Sequence, residues 1–363
     1  MAKRADKRGQ RLKSRREKKK LIRLLIITLA AILVIALFSR TPTLSEWYIQ
    51  NVYPFISTAL SSVSGLIPFS VYDLFIVVAL LYLLKLILFL IIRQTSFKKF
   101  LYLLLRFTVV LVLWFYFGWG ISYFRKDYYS RTDNQQSQYN AENLLNFTNR
   151  FIADANNSYV EFDVLEKEGV RLDLENSYNK LSESLSINYP NGKRVPKKMI
   201  FEPLYSKMGV SGYFGPFFNE IHVNNYGLNF TYPFTLAHEM SHQFGIASES
   251  EANLYAFLVC INSDDERIRY SAYVSIIGYL LNDIYTHLPE QYETIINSIR
   301  PEIIADLQRN RKHWLAARNA TLSSAQDRAY NAYLKSNRVS SGTENYSEVV
   351  GLLISSYDKS KIS

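Results

Sequence analysis

The residues with the clearest chemical content lie within 231–261, TYPFTLAHEMSHQFGIASESEANLYAFLVCI, where His238-Glu239-Met240-Ser241-His242 spells HExxH. On a helix, positions i and i+4 share one face, so two imidazoles spaced this way can both reach one Zn²⁺ at roughly 2.0–2.1 Å. Glu239 is then beside the metal without having to ligate it. Its carboxylate can take a proton from metal-bound water while the ion lowers that water's pKa and polarises a scissile carbonyl. The chemistry expected is peptide-bond hydrolysis without a covalent intermediate. The surrounding residues predict the helix: Pro233 suits its first turn, Thr231 its cap and Gly245 its end. The competing reading is a buried helix whose two histidines only form hydrogen bonds.

A catalytic zinc usually has three protein ligands and an open position, so a third ligand is required. Glu249 and Glu251 are the nearest candidates. If Gly245 ends the first helix, the chain can turn back and start a second near Ser248, bringing a carboxylate to the metal. Glu249 is favoured over Glu251, because Glu249 shares a helical face with Asn253, whose Oδ1 could accept the ring N–H of a ligating histidine. One Zn²⁺ per chain is expected. The only cysteine is Cys260, so neither an intramolecular disulfide nor a thiolate zinc site is available.

Other residues carry less. Tyr346 is a candidate for stabilising the oxyanion, although the chain holds 27 tyrosines. His222 could line a cleft but reads better as a strand histidine, while His287 and His313 lack metal-ligand spacing. Cys260 falls at an apolar helical position and reads as a packed thiol.

The elements that must position these residues divide the 363-residue chain in two. Residues 1–20 form a basic tail. Residues 21–125 form a membrane region with transmembrane helices at about 21–38, 74–92 and 107–124, each close to the ~18-residue minimum for crossing a bilayer. Between the first two, residues 41–70 mix aromatic side chains with Pro and Gly breakers and read as an interfacial segment. Residues 126–363 contain no further run of spanning length and form the domain that carries HExxH. That domain reads as mainly helical, with helices opening at Ala141, Pro289 and Pro301 and a strand or hairpin between Met199 and Asn224.

Charge is distributed to match. Residues 1–23 hold 12 Lys/Arg against two Asp/Glu, and the remainder is balanced, so the formal net charge of +10 resides in the tail. A basic tail directly before an apolar run is the positive-inside signal of a membrane anchor, which argues against nucleic acid as the partner. With the tail and the basic link at 93–99 on the cytoplasmic side, three crossings place the domain outside the cytoplasmic membrane. A channel or transporter is disfavoured, since Lys85 and Arg106 alone offer little pathway chemistry.

HEMSH followed by ESEAN resembles the HExxH plus ExxAD arrangement of gluzincin metallopeptidases, including membrane-bound CAAX-type and HtpX-like proteases. It departs from them in having Asn253 for the usual Asp and only six residues between His242 and Glu249. The metzincin pattern HExxHxxGxxH matches through Gly245 but meets Ser248 where its third histidine belongs. Over nearly the whole chain, NVYPF, IPFSVYDL, WGISYFR, GVSGYFGPF, AHEMSHQFGIASESEAN and YLKSNRVSSGTENYSEVV are similar to a bacterial membrane family, domain of unknown function 3810. Together these resemblances imply an α-helical membrane anchor and a mainly α, α+β zincin-like domain. In zincins a strand beside the active helix pairs with extended substrate, and residues 212–224 would supply it. The expected function is a membrane-anchored zinc metallopeptidase acting on peptides or membrane proteins in the bilayer's vicinity. The alternative is a non-catalytic metal-binding or assembly protein of the cell envelope.

Overall fold

The computed structural model describes residues 2–360 apart from 133, 163, 190, 191, 193 and 338–345; the side chains of 2–14, 346, 347 and 358–360 also lie outside the description. Among the described residues, three helices are long and apolar enough to cross a membrane: α1 (Ala2–Arg40), α4 (Val71–Ile91) and α5 (Phe97–Gly118). At 1.5 Å per residue α4 is about 31 Å long, close to the ~30 Å hydrocarbon core of a bilayer. Flanking side chains such as Leu29, Leu33, Leu80 and Leu81 are left more than half exposed, as lipid-facing residues would be. These features are compatible with membrane insertion. Ser70 caps α4 by accepting from Asp73 N, Ser96 caps α5 by accepting from Lys99 N, and the short link between them makes the pair antiparallel.

The third apolar helix differs from the 107–124 expected of it. It begins ten residues earlier, behind the Ser96 cap, and stops at Gly118. Residues 120–124 then form a 3₁₀ turn in which Gly120, Ile121, Ser122 and Phe124 are buried against protein. Hydropathy runs on through this stretch because burial in protein and burial in lipid select the same side chains.

Residues 41–70 hold two ordered helices, α2 (Pro42–Asn51) and α3 (Tyr53–Ser64). Their buried Tyr48, Ile49 and Tyr53 pack with Phe38, Trp119, Ile121, Phe124 and Ala247 in a small core at the junction of apolar helices and domain.

The rest is mainly helical: α6 (Tyr128–Arg131), α7 (Ala141–Ser158), α8 (Lys167–Lys180), α9 (Glu202–Met208), the strands β1 (Gly212–Gly215) and β2 (Glu220–Val223), then α10 (Tyr232–Gln243), α11 (Glu249–Ile261), α12 (Glu266–His287), α13 (Tyr292–Ser298), α14 (Pro301–Ala317), α15 (Ala320–Ser336) and α16 (Tyr346–Ser360). The large core gathers α7, α8, α10, α11, α12 and α16 around residues such as Phe151, Tyr178, Leu236, Met240, Phe257 and Ile277. β1 and β2 pair antiparallel with Gly212 opposite Val223 and Gly215 opposite Glu220. Lys197 bridges to His222 on the far side of β2, which leaves β1 as the outer strand.

Candidate metal centre

Helix α10 carries HExxH and lies against α11, α12 and the β-hairpin, with ten of its 12 residues buried. Pro233 occupies its first turn as expected. Thr231 precedes it without capping through its side chain, because its hydroxyl donates to Leu228 O; Ser271 of α12 instead accepts from Phe234 N at 3.1 Å.

At the other end the chain reverses at Gly245, whose φ of +81° is the left-handed conformation glycine adopts without a Cβ penalty. Gly245 N and Ile246 N donate to His242 O and Ser241 O, and a side chain at Gly245 would also press on Ile49 and Tyr53. Ser248 then caps α11, and Glu249 arrives as the first residue of that helix, facing α10.

His238, His242 and Glu249 consequently converge, with one ligand atom of each within 4.8 Å of the others. The two Nε2 atoms are 3.2 Å apart, and Glu249 approaches them at 3.1 and 3.7 Å. Two metal–nitrogen bonds of about 2.0–2.1 Å at a tetrahedral angle would separate their nitrogens by about 3.3 Å, so the spacing suits a zinc ion. His238 Nδ1 lies 3.0 Å from Asn253 Oδ1, whose Nδ2 donates to Tyr279, and His242 Nδ1 lies 2.7 Å from Ile246 O. Each Nδ1 therefore serves as a donor, and both Nε2 atoms turn toward the same point, where they would offer lone pairs to a metal on losing any proton they carry.

Charge is arranged around that point. Burial raises the Glu249 carboxyl, but the two histidines and a hydrogen bond from Tyr330 carry it down to about 2. Burial lowers His238, and the bond and charge of Glu249 more than offset this and raise it to about 9; His242, for which burial wins, is lowered. Glu239 is pushed up to about 8 by burial, and its Oε2 is enclosed without a hydrogen-bond partner. Two imidazoles, one carboxylate and an orphaned carboxylate oxygen form a donor set suited to a divalent cation.

The remaining candidates separate clearly. Glu251 faces away from the cluster, accepting from Tyr128 N at 3.1 Å and pairing with Arg131. Tyr346 opens α16, and its side chain lies outside the described residues. His222 is buried in β2, 2.8 Å from Ser70 Oγ and stacked on Tyr213 at 4.2 Å, and burial pushes it down to about 4. His313 stacks on Tyr226, and Cys260 is a buried thiol raised by burial. Among the described side chains, Tyr330 of α15 reaches the cluster and donates to Glu249 Oε1. It was not singled out in the sequence; nothing in its neighbourhood distinguishes it from 26 others, and its place comes from tertiary packing of α15.

The cluster opens into a cavity of about 1020 Å³. One wall is β1, whose outer edge has no strand partner among the described residues. A Cβ at Gly212 would stand 2.6 Å from Glu239 Oε1, so only glycine lets strand and carboxylate approach this closely. The strand expected beside α10 is present, with Phe214 turned toward His242 and Tyr213 turned away toward Tyr205.

Compared with known proteins, the chain matches the family described as "Protein of unknown function (DUF3810)" over residues 48–354, and it belongs to that family. No curated protein and no solved structure matches it.

Proposed function

We propose that this DUF3810 member is a membrane-anchored zinc metallopeptidase of gluzincin type, in which His238, His242 and Glu249 hold one Zn²⁺ per chain and Glu239 is the general base. The observation that carries this reading is the convergence of three ligand atoms from two helices beside the orphaned Glu239 carboxylate, in a cleft bordered by an open strand edge. When bound, zinc supplies a water made acidic near neutral pH and an electrophilic partner for the scissile carbonyl.

The chain's own residues do the rest. The β1 edge offers backbone groups to an extended peptide and so fixes its register. Glu239 Oε2 accepts the proton of the attacking water and returns it to the leaving amine nitrogen. Burial raises the Glu239 carboxyl, and the ionised form it needs as a base would be favoured beside a bound dication. Asn253 and Ile246 O keep each imidazole donating through Nδ1, and Tyr330 orients Glu249. Glu251, committed to Arg131, takes no part.

The basic tail and the 93–99 link favour a cytoplasmic N terminus and an extracytoplasmic domain, with peptides or membrane proteins as substrates and the bilayer as support. The neutral Asn253 in place of a carboxylate favours a second reading, a metal-binding assembly protein of the envelope without turnover.

The test uses the zinc-loaded full chain in lipid vesicles, incubated with soluble and membrane proteins of the cell together, and maps new amino termini by mass spectrometry. Glu239→Gln should keep its zinc and lose cleavage by about 100-fold or more, the scale of general-base catalysis. Zinc-loaded wild type that generates no new termini would contradict the peptidase reading and favour the assembly protein.

A further inference from the structure

The walls of the cleft indicate where its substrate enters. Tyr72 and Ile76 of α4 and Phe115 of α5 line the same cavity as His238, His242 and Glu239, although they belong to helices long and apolar enough to cross a membrane. Ile76 is the sixth residue of α4, about 7 Å along the helix from its first. At that level the outward-facing Leu74 and Val78 are 44% and 54% exposed, so the cavity reaches the depth at which the helix turns its apolar side chains outward.

The β-hairpin reaches the same depth. Its turn inserts Phe217 and Phe218 between α4 and α5, where Phe75 lies 5.0 Å from Phe217 and Trp114 lies 5.4 Å from Phe218. One end of β1 is therefore seated among the apolar helices, and its other end, Gly212, lies under Glu239. The three residue steps from Gly215 to Gly212 correspond to about 10 Å of extended chain. Any strand laid along the free edge of β1 runs between the level of the apolar helices and the proposed base.

We infer that the substrate is a membrane-spanning protein, captured by the extended segment just outside its transmembrane helix and cut within a few residues of that helix. The inference rests on the peptidase reading above and adds the source and position of the scissile bond. An unanchored peptide can occupy the β1 edge, but it has to enter alone; a chain emerging from the bilayer beside α4 is delivered at high effective concentration with one end already at the hairpin.

The vesicle experiment described above tests it through the positions of the Glu239-dependent termini. Cuts should be enriched about tenfold within roughly ten residues of transmembrane segments, relative to the remaining soluble parts of the same proteins, given the ~3.4 Å per residue reach of a strand. Termini spread evenly through soluble proteins and distant loops would overturn the inference and leave the peptidase reading standing. Termini gathered beside lipid-modified cysteines would overturn the choice of a spanning helix as the anchor. An absence of Glu239-dependent termini would remove the peptidase reading and this inference with it.

Discussion

Glu239 depends on a neighbour that has no side chain. Gly212 leaves space for its carboxylate, and a Cβ there would meet Glu239 Oε1 at 2.6 Å and the His222 carbonyl at 3.0 Å, the second of which is backbone and cannot swing aside. Gly212→Ala should therefore displace the carboxylate while leaving three ligands in place. On the proposed function, zinc content should be unchanged and peptidase activity should fall about 100-fold, the scale of a 1 Å misplacement; metal analysis and rate measurement on the same sample check this. A second residue-scale expectation concerns Glu46. Burial raises its carboxyl, but hydrogen bonds and the charge of Arg125 outweigh this and leave it below the usual carboxylate range. A depressed folded pKa contributes stability that is present above the unfolded value of about 4.3 and lost as pH falls through the folded one. The melting temperature should drop below about pH 4.3, and Glu46→Gln should be less stable at neutral pH with a shallower acid drop. The HExxH pair, its Pro233 entry and the Gly245 stop were all legible in the sequence because each depends on local helix geometry. Tyr330 was not, because its proximity to Glu249 depends on a helix 81 residues away in the chain.

Between elements, the start of α4 is bolted to the hairpin that borders the cleft. Glu220 of β2 accepts from Tyr72 N at 2.9 Å and Val71 N at 3.3 Å, and Asp73 accepts from the hydroxyls of Tyr205 and Tyr213 and from Ile200 N. Asp73 is buried, so Asp73→Ala strands several donors, each costing roughly 1–3 kcal/mol when left unsatisfied. The expected result is a lower melting temperature together with weaker cleavage, since Tyr213 belongs to β1; unchanged values for both would show that the bolt is dispensable. Sequence hydropathy located α4 to within a few residues, yet it carried the third apolar helix to residue 124. The discrepancy arises because Trp119 leaves the helix to donate its indole N–H to His242 O at 2.8 Å, and Ile121 and Phe124 are apolar for the sake of a protein core. An apolar run does not reveal which solvent it is avoiding.

In the whole molecule, the division at residue 125 that composition suggests cuts through a packed junction. Tyr53 donates to Gln243 O, Asn219 donates to Tyr53, Gln243 donates to Asn219 O, and Ser57 donates to Asn219 Oδ1, so α3 supports the end of the HExxH helix. Arg125 joins Glu46 of α2 to the Gly245 carbonyl on the same face. A fragment of residues 126–363 keeps the Gln243–Asn219 bond but loses Glu46, Tyr53, Ser57 and Arg125, and uncovers Phe214, His242 and Ala247. It should be poorly soluble and bind zinc more weakly than the full chain, as fluorescence melting and metal analysis would show. Short-range patterns identified the aromatic 41–70 segment with its Pro and Gly breakers but not its docking site, because its partners lie between 69 and 190 residues away in the chain. The most direct test of the central claim is therefore the zinc content of the purified full-length chain beside His242→Ala prepared identically. About one zinc per wild-type chain and a marked loss in the variant is the predicted result for a three-ligand site; no zinc in the wild type, even after reconstitution with the metal, would contradict it.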